Sequence, residues 1–220
     1  MNDRKTLAVI SDVHGNYKAF EAFLEYCKKH HIKEIIGLGD YMTDSPYPER
    51  MIELLKYMQE HFTCYMVRGN RENYLINNSK YDQGWKPSSS SGCLHYTAKR
   101  LSFADISFFE SMPEEMIIDF DNLPAIYICH GTPGDIRGNV EESPDVVPNA
   151  LKSIKENYLL SGHSHRRKLV TLGEKTYLNP GSLGFSLDGV GGNVQFALLH
   201  GDKNKWDGEF ISIPYDASSF

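Results

Sequence analysis

The sequence predicts a protein of the α/β class, and three observations support this. Apolar strand-like runs alternate with amphipathic helical segments in the first third of the chain, short β-rich runs dominate from residue 115 onward, and no linker separates the two parts. Alternation of strands and helices is typical of right-handed crossover units in a parallel sheet. Closely spaced short strands favour antiparallel pairing instead. We therefore expect a parallel sheet from the first part and a further, more antiparallel sheet from the second.

The first part contains three predicted strands and two predicted helices in alternation. The strands are the short buried runs TLAVIS (6–11), EIIGLG (34–39) and TCYMVRG (63–69). The helices are YKAFEAFLEYCKKHH (17–31) and PERMIELLKYMQEHF (48–62), because aromatic and apolar residues recur in them at helical spacing.

The rest of the chain is predicted to be helical at first and then β-rich. Residues 71–113 have helical character, but GWKPSSSSG (84–92) is a Gly/Pro/Ser cluster that predicts a loop. With neither an internal repeat nor an interdomain linker visible, and with 220 residues to build one large core, we expect a single domain over residues 1–220. The later predicted strands are EMIIDF, AIYICHG, NYLLSGHS, KLVTL, KTYLNPG, NVQFALLH and GEFISIP.

Composition limits the classes of protein that remain. Apolar residues make up 40% and charged residues 24% of the chain, as in an ordinary globular protein. The four cysteines are widely spaced and form no C-x-x-C motif, which argues against a disulfide framework or a thiolate zinc site. The apolar stretch near the N-terminus is too short for a signal peptide, and no run is long enough to span a bilayer. We expect a cytoplasmic protein with no membrane partner.

The formal net charge of −6 bears on the remaining partners. Binding to a nucleic-acid backbone relies on many lysine and arginine contacts to phosphate, so this charge argues against nucleic acid as a partner. An anionic substrate needs a local source of positive charge.

Seven polar side chains stand where predicted strands end, with a glycine in each motif. Because the carboxyl ends of strands in open α/β sheets face one crevice, we expect these side chains to converge there. The glycines let the backbone approach closely. In chain order the seven residues are Asp12, His14, Asp40, Asn70, His130, His163 and His165.

The converging residues offer carboxylate, amide and imidazole donors without a thiolate. Such donors suit manganese, iron or zinc, and seven of them exceed one tetrahedral site, so two ions are implied. A carboxylate can bridge two ions about 3.5–4 Å apart, and such a pair generates hydroxide and holds the oxygens of an in-line displacement at phosphorus. As alternate residues of an extended segment, His163 and His165 are expected to point to the same side and serve both ions.

The order and form of these motifs resemble the calcineurin-like metallophosphoesterase family, whose pattern runs D-x-H, G-D, G-N-[H/D], H and G-H-x-H. The segments GDYMTDSPYPERMIELL and NPGSLG are similar to those of small bacterial members related to phosphodiesterases and diadenosine-polyphosphate hydrolases. The family motifs stand here as Asp12-Val13-His14, Gly39-Asp40, Gly69-Asn70, His130 and Gly162-His163-Ser164-His165.

The resemblance implies a fold and a ligand assignment. The fold would be two stacked mixed β-sheets flanked by helices, a β-sandwich of the metallophosphoesterase type. Asp40 would bridge the two ions. The further ligands would be Asp12, His14 and His165 for one ion, and Asn70, His130 and His163 for the other.

Taken singly, each motif also has an ordinary structural explanation. Asp12 and His14 suit a cap for the following helix, Asp40 and Asn70 suit turns, and isolated histidines are usually structural. All five motifs in family order favour the two-metal site over these alternatives.

Arg71 departs from the family pattern, in which a histidine at this position is thought to help protonate the leaving oxygen. A guanidinium does not deprotonate near neutral pH, but it can hold a phosphate by a bidentate fork. The proton must then come from water or another group such as His95, unless the leaving group departs unaided, as in anhydrides and aryl esters. The structural alternative is that Arg71 pairs with Glu72 or another acid outside the crevice.

We therefore expect a dimetal-dependent hydrolase of phosphoester bonds, a phosphatase or phosphodiesterase, that acts on a small phosphorylated substrate. A metal-bridging hydroxide would be the nucleophile, and the catalytic residues would be Asp40, Asn70, Arg71 and His130. The alternatives are a nuclease of the same family, which the short acidic chain disfavours, and a non-catalytic metal-binding scaffold, which missing ligands would indicate. The oligomeric state is left open.

Two irregular segments, residues 84–93 and 134–148, are long enough to act as loops over the site. We expect them to flank the strand ends and to contact the substrate through Trp85 or Arg137. The alternative is that both are surface loops without a role in binding.

Overall fold

The computed structural model describes residues 5–77, 89–187 and 192–218 of the chain. In this part, ten strands form two five-stranded sheets, and six helices accompany them. The elements are β1 (Lys5–Ile10), α1 (Tyr17–Lys29), β2 (Glu34–Gly37), α2 (Pro48–His61), β3 (Thr63–Met66), α3 (Asn70–Ile76), α4 (Ser89–Ala98), α5 (Phe103–Glu110), β4 (Glu115–Phe120), β5 (Leu123–Cys129), α6 (Val146–Ser153), β6 (Tyr158–Leu160), β7 (Arg167–Leu172), β8 (Lys175–Pro180), β9 (Asn193–Asp202) and β10 (Lys205–Pro214).

The first sheet has the strand order β10-β9-β1-β2-β3. Strands β1, β2 and β3 pair in parallel and are connected through α1 and α2, as the alternating pattern predicted. Helix α1 is capped by Asn16, whose side chain accepts a hydrogen bond from the Ala19 amide at 3.0 Å. The side chains of Asp12 and His14 therefore remain available for another role.

The second sheet has the order β4-β5-β6-β8-β7 and differs from the expectation in two ways. Its three inner strands are parallel, and only the two outer strands pair antiparallel. Strands β9 and β10 join the first sheet instead, antiparallel to β1. The physical reason is that both faces of β9 are covered: Phe196 and Leu198 pack in the helix layer, while Ala197 and Leu199 pack toward the second sheet, and the first sheet lies between these layers.

The core lies in layers on both sides of the first sheet. Alternate residues of β1 face opposite ways, as the two-residue period of a strand requires. Leu7 and Val9 face the second sheet and pack with residues such as Ile126. Ala8 and Ile10 face helices α1 and α2. Helix α6 covers the outer face of the second sheet. The protein thus has two stacked mixed sheets flanked by helices, as predicted.

The Gly/Pro/Ser cluster does not form a loop throughout. Helix α4 begins at Ser89 inside it, while residues 78–88, including Trp85, lie outside the described part of the chain. Across the described segments, no helix combines the length and apolar character needed to cross a membrane.

Candidate metal centre

The seven predicted ligand residues lie at the carboxyl ends of strands, where the ends of the two sheets face each other. Asp12, Asp40 and Asn70 follow the parallel strands of the first sheet. His130 follows β5 and His163 follows β6 in the second sheet. Contacts across this gap, such as the 3.0 Å hydrogen bond from the His163 amide to Asp12 Oδ2, bring the two sets together.

A first group of donor atoms consists of Asp12, His14 and His165. The Nε2 atoms of the two histidines lie 3.0 Å apart. Asp12 Oδ1 lies 3.2 Å from His165 Nε2 and 3.8 Å from His14 Nε2. This oxygen is buried and accepts no hydrogen bond from the described residues.

A second group consists of Asp40, His130 and His163, with Asn70 beside it. His130 Nε2 lies 3.4 Å from Asp40 Oδ2 and 3.2 Å from His163 Nδ1. Asn70 Oδ1 lies 3.2 Å from the same His130 nitrogen. Three potential donors thus lie within 3.4 Å of a fourth, His130 Nε2.

These distances fit metal coordination. Two donors that each bind one ion at about 2.1 Å, with an angle between tetrahedral and octahedral, lie about 3.0–3.4 Å apart. The short contacts within both groups match this spacing. Two facing histidine nitrogens can form at most one hydrogen bond between them, and the buried Asp12 Oδ1 has no described hydrogen-bond donor. A cation would satisfy all of these atoms together.

Asp40 lies between the two groups. Its Oδ2 is 3.9 Å from His14 Nε2 in the first group and 3.4 Å from His130 Nε2 in the second. Its Oδ1 accepts a hydrogen bond from the Arg71 amide at 2.8 Å. One oxygen is therefore held by the start of α3, and the other faces both groups.

The other ring nitrogen of three histidines is held by a neighbouring acceptor. His130 Nδ1 donates to the Leu38 carbonyl at 2.8 Å and His165 Nδ1 donates to the Phe185 carbonyl at 2.9 Å. His14 Nδ1 contacts Asp44 Oδ2 at 3.0 Å. Because carbonyl and carboxylate oxygens accept, Nδ1 carries a proton, and Nε2 is the ring nitrogen that faces the centre as a potential metal ligand.

Electrostatics show that the centre attracts positive charge. Burial alone would lower the pKa of His14, but contacts with Asp12 and Asp44 raise it to about 10. Burial would also lower the pKa of His130, but the nearby Asp40 carboxylate raises it to about 9. Burial would raise the pKa of Asp12, but the close His14 and His165 rings hold it well below its usual range. Protons and metal cations compete for such a site.

The backbone of five of these residues is left-handed, which differs from the extended geometry expected for His163 and His165. Side chains with a Cβ pay roughly 1–2 kcal/mol for this conformation, although Asp and His tolerate it better than most. Hydrogen bonds from the Asp12 amide to Gly39 O and from the His14 amide to Asp40 O, both 3.0 Å, stabilise the first of these turns. The φ values are 54° for Asp12, 48° for His14, 54° for Asp40, 64° for His163 and 56° for His165.

Glu72 organises the centre, a role that the sequence analysis missed. Its buried carboxylate accepts hydrogen bonds from the backbone amides of Asp40, Tyr41, Met42 and Gly69, at 2.8 to 3.1 Å. Burial and the nearby Asp40 carboxylate raise the pKa of Glu72, and the amide donors oppose that rise. Glu72 thereby ties the turn after β2 to the start of α3. The sequence signal was an acid three residues after Gly69, as in a capping box.

Arg71 lines a crevice of about 410 Å³ together with candidate ligands from both groups. Its guanidinium Nη2 lies 3.4 Å from Asp44 Oδ2, not at Glu72. Asp44 thus contacts both Arg71 and the ring of His14. Cys93 and Phe185 complete the described lining.

Asn179, in the NPGSLG segment, holds the turn that carries His163 and His165. Its buried side-chain amide donates to the Gly162 carbonyl at 2.7 Å and contacts Ser164 Oγ at 3.2 Å. Its Oδ1 accepts from the Gly181 amide at 2.9 Å. The segment thus supports the turn that carries two of the candidate ligands.

The structure bears on one of the two loop residues expected to contact substrate, Arg137. Arg137 lies 5.9 Å from the ring centroid of Tyr74 and is absent from the described lining, as is His95. Trp85 lies outside the described residues.

Comparison with known proteins agrees with this architecture. Residues 6–204 match the family model of the calcineurin-like phosphoesterase superfamily domain. The chain belongs to this superfamily. Calcineurin-like phosphoesterases are metal-dependent, and the two groups of donor atoms provide two candidate metal sites.

Individual relatives of this calcineurin-like phosphoesterase cover nearly all of it. MJ0912 of Methanocaldococcus jannaschii, an uncharacterized protein, is 26% identical over 97% of this chain and 89% of its own. The crystal structure of the hypothetical protein PH1004 from Pyrococcus horikoshii superposes with a TM-score of 0.85 at 21% identity, over 97% of this chain and 90% of that one. A metallophosphoesterase from Sphaerobacter thermophilus gives 0.76 at 20% identity, over 99% and 91%. At these identities the two structures support the fold.

Proposed function

We propose that the protein is a two-metal phosphoesterase that hydrolyses a small phosphorylated molecule, with residues 1–220 forming one catalytic domain. The observation that carries this proposal is the position of Asp40 Oδ2, which lies 3.9 Å from His14 Nε2 and 3.4 Å from His130 Nε2. A carboxylate oxygen that faces two groups of donors suits a bridge between two ions.

The proposed ligands divide as the two groups of donor atoms do. Two divalent ions bound there would supply Lewis acidity and an activated water near neutral pH. Oxygen and imidazole donors without thiolate favour manganese, iron or zinc. The residues that would hold the ions are Asp12, His14, Asp40 and His165 for one, and Asp40, Asn70, His130 and His163 for the other.

Arg71 is the proposed phosphate-binding residue. Its guanidinium lines the crevice beside Asp44, where it can turn toward a phosphate oxygen and form a bidentate pair. It cannot donate a proton at neutral pH, so the leaving group must accept its proton from water or depart as an anion. Aryl esters and anhydrides meet this condition better than alkyl esters. The four unpaired cysteines are consistent with action in a reducing cytoplasm.

Metal analysis combined with an activity panel tests the proposal. Protein purified without chelator should contain two transition-metal ions per chain by elemental analysis. With manganese, it should hydrolyse members of a panel of aryl, alkyl and anhydride phosphoesters, and a chelator should abolish this activity. Two bound ions without hydrolysis of any compound would indicate a metal-binding scaffold, and absence of bound metal would contradict the proposal as a whole.

A further inference from the structure

The crevice has an aromatic wall next to the candidate metal centre. Phe185 follows β8, lines the crevice, and leaves 62% of its surface exposed. Its ring packs edge-on to the ring of His165, with the centroids 5.9 Å apart. An exposed apolar ring therefore packs directly against a candidate metal ligand.

The exposure of Phe185 does not come from a loosely held backbone. Its amide donates to Ser182 Oγ at 2.8 Å, and its carbonyl accepts from His165 Nδ1 at 2.9 Å. Ser182 Oγ in turn donates to the Asp12 carbonyl at 2.6 Å. The backbone of the segment is tied both to the turn after β1 and to the metal centre, so the ring is carried at the edge of the crevice by an anchored backbone.

A ring held in this way favours a flat apolar partner. Burying an exposed aromatic face removes apolar area from water, and a second ring adds a favourable offset-stacked or edge-to-face contact. The charged part of the same crevice, with Arg71 and the proposed ions, suits the phosphate of the substrate. The two parts of the lining therefore match a phosphate and an aromatic ring in one molecule.

We propose that Phe185 binds an aromatic ring carried by the substrate next to its phosphate, so that the substrate class is phosphoesters with an aromatic group, such as a nucleoside base. This inference rests on the proposed phosphoesterase function, since that function places the phosphate at the metal centre. Phe185 then determines specificity by contact with the part of the substrate that does not react.

Adenosine 5′-phosphate and ribose 5-phosphate provide a matched pair, because they share the phosphate and the sugar, and a hydroxyl replaces the base at C1 of the ribose. Dissociation constants are measured by titration calorimetry in manganese at low temperature, while phosphate release is followed in parallel. The parent should bind adenosine 5′-phosphate about tenfold more tightly, as base–aromatic stacking predicts. In Phe185→Leu this ratio should fall toward one, whereas Phe185→Trp should keep it.

Phe103→Leu is the control, because Phe103 is 86% exposed on α5 and is not part of the described crevice lining. This variant should keep the parent's ratio. If Phe185 acted only by positioning His165, Phe185→Leu would weaken the binding of both compounds equally. The ratio would then stay unchanged, and this result would overturn the aromatic site. Equal affinities in the parent would also overturn it. Failure of the proposed function is distinguishable, since it appears as absence of manganese-dependent hydrolysis across the panel.

Discussion

The ends of the first sheet and the ends of the second sheet contribute different chemistry to the candidate metal centre. The first sheet supplies the oxygen donors Asp12, Asp40 and Asn70, with one histidine, His14. The second sheet supplies imidazoles alone, from His130 and the turn after β6. Carboxylate and amide oxygens thus enter mainly from one side, and imidazoles enter from the other.

The two halves are also held in different ways. In the first half, the buried Glu72 carboxylate accepts four backbone amides from two separate turns. In the second half, the Asn179 amide holds one turn through the Gly162 carbonyl. A charged residue supports the oxygen donors, and a neutral one supports the imidazoles. Variants of Glu72 and Asn179 can therefore disturb the two halves separately, and Asp40 lies where the halves meet.

Replacement of Asp40 should have the largest effect, since it removes the donor that faces both halves. Asp40→Asn should lower the metal content from two ions toward zero and reduce hydrolysis by roughly a thousandfold, because bound ions contribute several kcal/mol to the transition state. Elemental analysis and kcat measurement check this. Asp119→Asn, at an exposed position on β4, should match the parent. Two tightly bound ions with normal turnover in Asp40→Asn would contradict the bridging role.

Glu72→Gln tests the support of the oxygen donors. One carboxylate oxygen becomes an amide group, so two backbone amides lose their acceptor, and the free energy of unfolding should fall by at least about 2 kcal/mol. Metal affinity should fall roughly 10- to 100-fold, as for other partners of metal ligands. Manganese should be affected more than zinc, because manganese depends more on oxygen donors. Denaturant unfolding and metal titration measure both effects.

Glu60→Gln is the matched control for this variant, since Glu60 is exposed on α2. It should leave stability and both metal affinities unchanged. If Glu72→Gln weakened zinc more than manganese, the assignment of Glu72 to the oxygen-donor half would be wrong.

Asn179→Ala tests the support of the imidazoles. Loss of its amide frees the Gly162 carbonyl and loosens the turn that carries one proposed ligand of each ion. We expect about tenfold weaker binding of both ions, with zinc affected more than manganese, because imidazole donors suit zinc. Asn149→Ala, at an exposed position on α6, is the control. Parent-like affinity of Asn179→Ala for both metals would show that Asn179 does not support the centre.

The fold of the first third of the chain could be predicted from the sequence, because its strands and helices differ in the spacing of their apolar residues. The sheet to which β9 belongs could not be predicted, since an apolar run shows that a strand is buried but not which neighbour it pairs with. Convergence of the seven polar residues followed from their position at strand ends. The left-handed backbone at His163 could not be predicted, because a histidine in a sequence does not determine the sign of φ. Glu72 was missed because charged residues are rarely buried.

Arg71 lies at the start of α3, on the first-sheet side of the centre. Apart from the histidines, it is the positively charged residue in the described lining of the crevice. If its guanidinium holds a phosphate oxygen, Arg71→Ala should raise KM about tenfold, since hydrogen bonds to charged groups contribute about 1.5–3 kcal/mol. The value of kcat should change less, because the contact is made in the ground state and in the transition state alike. Arg71→Lys should restore part of the loss, because a point charge replaces a planar fork.

Arg71→His places an imidazole on the side of the centre that supplies mostly oxygen donors. This side chain can donate a proton near neutral pH, which a guanidinium cannot. Alkyl phosphoesters need that proton more than aryl esters do, since an alkoxide leaves less readily than a phenolate. We therefore expect the ratio of alkyl to aryl hydrolysis to rise, by roughly tenfold at most, because general-acid catalysis contributes about 10²–10⁴ in optimised sites. Measurement of kcat and KM on one alkyl and one aryl substrate decides the matter, and a parent-like ratio in Arg71→His together with a parent-like KM in Arg71→Ala would place Arg71 outside the chemistry.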